Sequence, residues 1–170
     1  MIVLSHPALS VSLRDDTENK NILVLKSDHC TSTIQALNNL YPDIVEIREL
    51  LHQEPGLNIR GVMGTSNSKR CQFILVNKRE VNRCHLHSII KRTVASSRLC
   101  DKKEGLISSY FIEITVPHSN CQVTVEQKKT VVCFRYLSYV LRVFENTVKS
   151  KSLYSLIHDI LEQILKKTLF

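Results

Sequence analysis

Apolar positions along this chain recur with two different periods, and the switches between them mark out its elements. Ser10 to Arg14 alternates, with Val11 and Leu13 set against Ser10, Ser12 and Arg14, which predicts a short half-buried strand. Asp15 to Asn21 is polar turn material, and Asn21 to Lys26 (NILVLK) predicts the returning strand of a hairpin. Thr31 to Tyr41 takes the helical period. Ile34, Leu37, Leu40 and Tyr41 share a face, Ser32 or Thr31 caps the start, and Pro42 stops it. Ile44 to Gln53 fits a strand or a helix. The Glu54-Pro55-Gly56 turn and the run from Leu57 to Met63 beyond it favour a hairpin. Gly64 to Arg70 (GTSNSKR) predicts a polar loop.

The sharpest transition lies in the middle. In QFILVNKREV, from Gln72 to Val81, the residues Phe73, Ile74, Leu75 and Val76 form a β-favouring run that breaks into Asn77, Lys78 and Arg79. A buried strand ending in an amide and two cations delivers charge to a fixed place at a sheet's rim. Arg83 to Leu99 then reads as a helix, with Leu86, Ile89, Ile90 and Val94 on its apolar face. Arg83, His87 and Lys91 line up along another face of the same helix.

Asp101 to Gly105 predicts a loop, Tyr110 to Val116 a strand, and Pro117 to Asn120 a turn. Cys121 to Val125 and Thr130 to Phe134 are two further strands. The period then becomes helical. Tyr136 to Val148 carries Leu137, Val140, Leu141 and Phe144, and Leu153 to Leu165 carries a wide apolar stripe. That stripe is expected to serve the domain's own core, with a partner-helix surface as the rival reading. Strands, an early helix, a central strand with its helix, more strands and then helices make an α+β layer arrangement. Residues 1–150 are expected to form one domain, with residues 151–170 as a C-terminal amphipathic helix packed on it.

Composition adds a constraint through where the charge sits. Lys69 to Glu104 holds ten Lys or Arg against three acids, whereas the remainder holds thirteen of each, so one segment carries the whole net charge of +7. That asymmetry favours a polyanionic partner over a merely solvated basic face. No apolar run reaches the roughly 18 residues of a membrane span. MIVLSHPALS lacks the basic start and the apolar length of a signal peptide. The six cysteines form no CxxC pair and read as buried free thiols in a reducing compartment rather than disulfides.

Self-contained catalysis finds little support. Neither GxxxxGK[ST] nor GxGxxG occurs, and four glycines leave little room for a phosphate cradle. His85 and His87 sit about 200° apart on a helix, which is wrong for sharing a metal. No GxSxG occurs, and Asp15-Asp16 fits turn chemistry. Glu126 to Thr130 is a cationic break between two strands without the usual turn formers. It reads either as a hairpin turn or as a stiff connection that aims a lysine at a phosphate.

HPALSVSLRDD from His6, QFILVNKREV from Gln72 and QVTVEQKKTVVCF from Gln122 together resemble the second, transducer domain of the MutL DNA mismatch-repair proteins. The corresponding family stretches read like HPxVxFxLxxx, QFxFVNxRxV and DVNVHPAKTEVRF. The likeness covers nearly the whole chain. The VNKR form, with Lys78 where bacterial members tend to have Gly, is most like the eukaryotic MutL homologue 3 subfamily.

The resemblance implies a ribosomal protein S5 domain 2-like α+β fold, mostly one β-sheet with helices on one side, as in gyrase B and Hsp90 middle domains. It also implies a preceding GHKL ATPase domain that binds ATP and Mg²⁺. That domain is expected outside this chain, because Met1 stands only five residues before His6-Pro7. The C-terminal dimerisation region, with any endonuclease motif, is expected outside it too. The chain would then be a fragment, a truncated gene model or a shortened isoform. The family's third-motif lysine, which reaches the nucleotide γ-phosphate, falls on Lys129. Thr130 follows as in the motif, while its His, Pro and Ala are Glu126, Gln127 and Lys128 here.

The family's transducer domain also lines a basic channel for DNA. Arg79 matches the motif arginine and Arg83 lies just beyond it. With Lys78 and Lys91 they are the expected contacts, directed at the backbone and non-specific. The alternative for Arg79 is a carboxylate partner inside the fold. Double-stranded DNA, a second MutL homologue of the homologue 1 type and MutS-type proteins are the implied partners, in a nucleus and without a membrane; the parent's setting is DNA repair and meiotic recombination. Two rivals stay open: an S5-like module that only docks a protein, and the middle domain of another GHKL ATPase such as a topoisomerase subunit.

Overall fold

Four antiparallel hairpins, one further antiparallel pairing and one parallel pairing account for the strands among the described residues. The computed structural model describes residues 2–15, 22–27, 29–66, 71–81, 84–97, 107–126 and 129–150. A four-residue helix α1 (Ile2–Ser5) precedes β1 (Val11–Asp15) and β2 (Ile22–Ser27), which pair antiparallel. Helix α2 (Thr33–Leu40) leads to the long hairpin of β3 (Val45–Glu54) and β4 (Leu57–Ser66). Then come β5 (Gln72–Val76), β6 (Arg79–Glu80), α3 (His85–Ser97) and β7 (Ile107–Thr115). A 3₁₀ turn (His118–Asn120), β8 (Cys121–Glu126), β9 (Lys129–Phe134) and helix α4 (137–150) complete the description.

The main sheet has five strands in the order β3-β4-β7-β5-β6. β4 and β7 pair along nine positions, from Asn58↔Thr115 to Ser66↔Ile107. β5 joins β7 in parallel, with Phe73 opposite Phe111 and Ile74 opposite Ile112. Alternation along β7 sends successive side chains to opposite faces. Tyr110, Ile112 and Ile114 meet Leu86, Ile89 and Ile90 of α3 and Val140, Phe144 and Val148 of α4. Phe111 turns the other way, to Val3 and Leu4 of α1 and Ala36 and Leu37 of α2. The α+β class therefore stands, but the helices do not keep to one side. The two long ones share a face, and α1 and α2 cover the other, because β5 and β7 are apolar on both sides.

The expected hairpins, the α2 helix and the β8–β9 pair are all present. At α2 the cap is Ser32, and Thr31 before it is tied to the first turn as a donor. The Ser32 hydroxyl accepts the Gln35 N–H (3.1 Å), and the Gln35 side-chain oxygen accepts the Thr31 N–H (2.8 Å). The β3–β4 turn is Pro55-Gly56, with Gly56 at φ 87°, the type II pattern.

Several readings need correction. The first residues of the polar loop expected over Gly64 to Arg70 are strand instead, because Thr65 and Ser66 pair with Ser108 and Ile107, and the Ser66 and Ser109 hydroxyls bond at 2.7 Å inside the sheet; residues 67–70 lie outside the described residues. Helix α1 carried no periodicity to read. Its Val3 and Leu4 are buried only by tertiary packing, in a cluster with Ala36 and Leu37 of α2 and Val62, Leu75 and Phe111 of the sheet. On α4 the inward row is Val140, Val143, Phe144 and Val148, and Leu137 is exposed. His87 does not stand in a charged row with Lys91. It lies beside Leu86 at the edge of the apolar face and turns inward, while Lys91 is exposed.

Cys30, Cys71, Cys84, Cys121 and Cys133 are free thiols. Three of them are buried, but Cys133 is exposed. Burial pushes the Cys71 thiol up to about 12, which keeps it unreactive at neutral pH. Arg83, Cys100, the Asp101–Gly105 loop and the 153–165 stripe lie outside the described residues.

Candidate nucleic-acid interface

The apolar run of β5 ends in a two-residue turn. Asn77 and Lys78 both have positive φ (47° and 68°), the mark of a type I′ hairpin, and Val76 pairs with Arg79 across it. Asparagine tolerates this region better than most residues, and lysine occupies it at some cost. Asn77 also clamps the turn to β7. Its N–H donates to the Ile114 carbonyl (2.9 Å), and its side-chain oxygen accepts the Val116 N–H (3.0 Å). Its Nδ2 finds no partner among the described residues. Asn77→Ala should cost about 2 kcal/mol, the sum of a lost buried hydrogen bond and left-handed strain. Asn77→Asp keeps the acceptor and should lose less, with thermal denaturation of both variants as the check.

Beyond the turn the chain stays pinned. The Val81 N–H donates to the Ile74 carbonyl (2.8 Å), and the Val81 carbonyl accepts from His87 Nε2 (2.9 Å). A carbonyl can only accept, so Nε2 carries the hydrogen. The other ring nitrogen meets the Tyr110 hydroxyl at 2.6 Å. Burial pushes the Tyr110 phenol well above its ordinary value, so it remains a hydrogen donor there. His87 thus supports the hairpin from below. Its neighbour His85 is exposed, so the two imidazoles diverge.

Charge at this end of the sheet is organised around Glu113 of β7, which is only 4% exposed. Its carboxylate accepts from Arg60 Nε (2.7 Å) on the neighbouring strand β4 and from the Ser5 hydroxyl (2.8 Å) of α1. Lys78 Nζ stands 3.3 Å away. Burial pushes the Glu113 carboxyl up. Hydrogen bonds from Ser5 and Arg60, with the charges of Arg60 and Lys78, outweigh burial and hold it below the ordinary carboxylate range. Arg60, Glu113 and Ser5 were missed from the sequence. The available signal was the lone acid inside YFIEITV, since a carboxylate in a buried strand demands cations from elsewhere.

The expected contact residues divide. Lys78 and Arg60, not Arg79, partner the internal carboxylate. Arg79 is exposed and has no carboxylate partner among the described residues, and the same holds for Lys91 on α3. Beside Lys91, Arg92 meets Glu145 of α4 at 3.3 Å, and Lys149 meets the same carboxylate at 2.9 Å. The backbone of Lys129 opens β9 opposite Glu126, so the break between the two strands is a hairpin.

This strand order with its two helical layers is a ribosomal protein S5 domain 2-like fold, and known structures share it. The N-terminal domain of a DNA repair protein superposes with a TM-score of 0.62 at 19% identity, over 91% of this chain and 51% of the other. The gyrase B subunit of Myxococcus xanthus does so at 0.53 and 11% identity, over 87% and 45%. Residues 38–153 match the family described as DNA mismatch repair protein, C-terminal domain, and the chain belongs to that family. Among curated proteins it is similar to the human DNA mismatch repair protein Mlh3. The two are 26% identical over 168 residues, 86% of this chain but 11% of the human protein.

Proposed function

We propose that this chain is the transducer-type domain of a MutL-like mismatch-repair protein and binds double-stranded DNA through its phosphate backbone. Arg79 carries the reading. It is an exposed cation on a hairpin whose backbone is held by β7, by Ile74 and by His87, with no carboxylate partner among the described residues. The backbone beneath this cation is already ordered, so only its side chain remains to be fixed on meeting a phosphate. Lys91 extends the surface along α3, and Arg83 falls between the two in sequence. Such contacts position a duplex without reading bases.

In the same reading, a GHKL-type ATPase domain holds ATP and Mg²⁺, because this chain has no glycine-rich phosphate loop of its own. Lys129, at the start of β9, supplies the cation that reaches the γ-phosphate when that domain docks. A MutL homologue 1-type dimer partner, MutS-type proteins and a nuclear location belong to this proposal. No described helix is long and apolar enough to cross a membrane.

The test is duplex binding by fluorescence anisotropy across a salt series. Each lost phosphate contact should lower the slope of log K against log salt by about 0.9, so Arg79→Ala with Lys91→Ala should remove about two such units. Wild-type affinity and slope in that pair of substitutions would refute the interface.

A further inference from the structure

We infer that Arg60 and Lys78 form a phosphate-binding pair, which takes one phosphodiester of a nucleic-acid backbone, and that Glu113 beneath them is the residue that positions both. The inference rests on the nucleic-acid reading above and deepens it by adding a site that the basic segment of the sequence does not contain. Arg60 lies in the part of the chain whose charges cancel, well before Lys69.

The geometry is that of a built site. The Glu113 side chain is 5% exposed, whereas those of Arg60 and Lys78 are each 54% exposed, so the carboxylate lies below and the cations face solvent. Two positive charges share one negative charge, leaving a local excess of one. Arg60 directs Nε and one terminal nitrogen to the same carboxylate oxygen, which leaves further N–H donors of its planar fork free to engage a second oxyanion. Lys78 spends one donor of its ammonium on the other carboxylate oxygen and has two left.

The two cations come from β4 and from the β5–β6 turn, on either side of β7, and only Glu113 ties them to a common point. Without it both side chains would have to be ordered by the incoming ligand. With it, much of the ordering cost is met by the fold. Arg79 follows Lys78 directly, so the pair adjoins the surface proposed above. Guanidinium and ammonium donors converging on one spot fit a phosphate oxygen pair and carry no base readout. The shared chemistry is a phosphate group, and the assignment here is to a phosphodiester of the backbone rather than to a free phosphate.

The decisive variant combines Arg60→Gln, Lys78→Gln and Glu113→Gln. It removes two positive charges and one negative, so the local excess of one is gone and no buried carboxylate is left short of a partner. Its thermal melt should stay near wild type. Its duplex-binding salt slope should fall by about 0.9, one phosphate contact. A pair that is only structural would leave the slope where it was, and that result overturns the inference. Arg60→Lys, which keeps the charge and the partner carboxylate, should retain the slope; losing it there would also count against the pair. If the triple variant fails to fold, Lys78→Gln in the wild-type background reads the same contact, with the same predicted drop.

A second arm titrates inorganic phosphate by nuclear magnetic resonance. Saturable phosphate binding that depends on Arg60, with an unchanged duplex slope in the triple variant, would mark a free-phosphate site and overturn the backbone assignment. Failure of the wider reading looks different. In that case the wild-type chain does not bind duplex, and Arg79→Ala changes nothing.

Discussion

Gly61→Ala is expected to cost about 4 kcal/mol or more, enough to threaten a domain of ordinary stability. Gly61 sits mid-strand in β4, flanked by Leu50 of β3 and Ile112 of β7. A Cβ there would lie 2.2 Å from the Phe111 carbonyl oxygen and 2.8 Å from the Ile112 Cα. Both are backbone atoms of the central strand, so no side-chain rotation relieves the clash. β7 would have to move away from β4 and break the ladder that joins the two core-bearing strands. Gly56→Ala provides the internal comparison. Its Cβ would meet nothing within 4 Å, although φ is 87°. That change should cost only about 1–2 kcal/mol, the ordinary left-handed penalty. Urea denaturation should show the two midpoints well apart, with Gly61→Ala the lower. Equal midpoints, or the reverse order, would mean that β4 and β7 do not approach as described.

The second large effect should appear when Glu113 loses both cations. Arg60→Met with Lys78→Met is expected to cost about 3–5 kcal/mol at neutral pH, because it strands a buried carboxylate with only the Ser5 hydroxyl. It should also reverse the action of acid. In the native protein the Glu113 carboxyl ionises below its ordinary range. The stability this contributes is complete above the unfolded pKa, about 4.3, and is lost as pH falls through the lower folded value. In the variant burial prevails and the folded pKa rises above the unfolded one. Stability then grows as pH falls from neutrality toward about 4 and declines again as pH is raised. Chemical denaturation across a pH series reads both signs. Adding Glu113→Gln to the variant should abolish its acid-induced gain, and an unchanged gain would place the titrating group elsewhere.

How far the sequence could be read differs from one element to the next. The long hairpins were legible because turn residues such as Pro55-Gly56 act locally and alternation survives in any context. The α2 cap was legible for the same reason, since Ser32, Thr31 and Gln35 bond one another within one turn. Asn77-Lys78 was read as the end of a strand, not as a hairpin. A lysine at positive φ is an uncommon choice, and the sequence carried no glycine to announce the turn. Gly64 to Ser66 looked like loop because its polarity conceals a ladder partner more than forty positions away in the chain.

The candidate interface shows the same division. Arg79 was singled out by the motif likeness and Lys91 by its place on the helix face, within the segment that carries the net charge, and both are exposed. His87 was placed with them by helical spacing, but Tyr110 and Val81 claim it, since a flank position goes to whichever neighbour offers a hydrogen bond. The family likeness rested on three motifs, and the DNA mismatch repair domain match over residues 38–153 agrees with it.

The sequence alone determined most of the element order, without α1 and β6, together with the α+β class and the segment that carries the net charge, because period, turn chemistry and composition are local quantities. Only the tertiary structure decided which cations are free. Lys78 and Arg79 are neighbours with nearly equal chemistry. The pleat and the turn send Lys78 to Glu113, alongside Arg60 from a strand two places across the sheet, and leave Arg79 in solvent. Nothing local to VNKR encodes that choice. It depends on where a carboxylate thirty-five residues away comes to be buried.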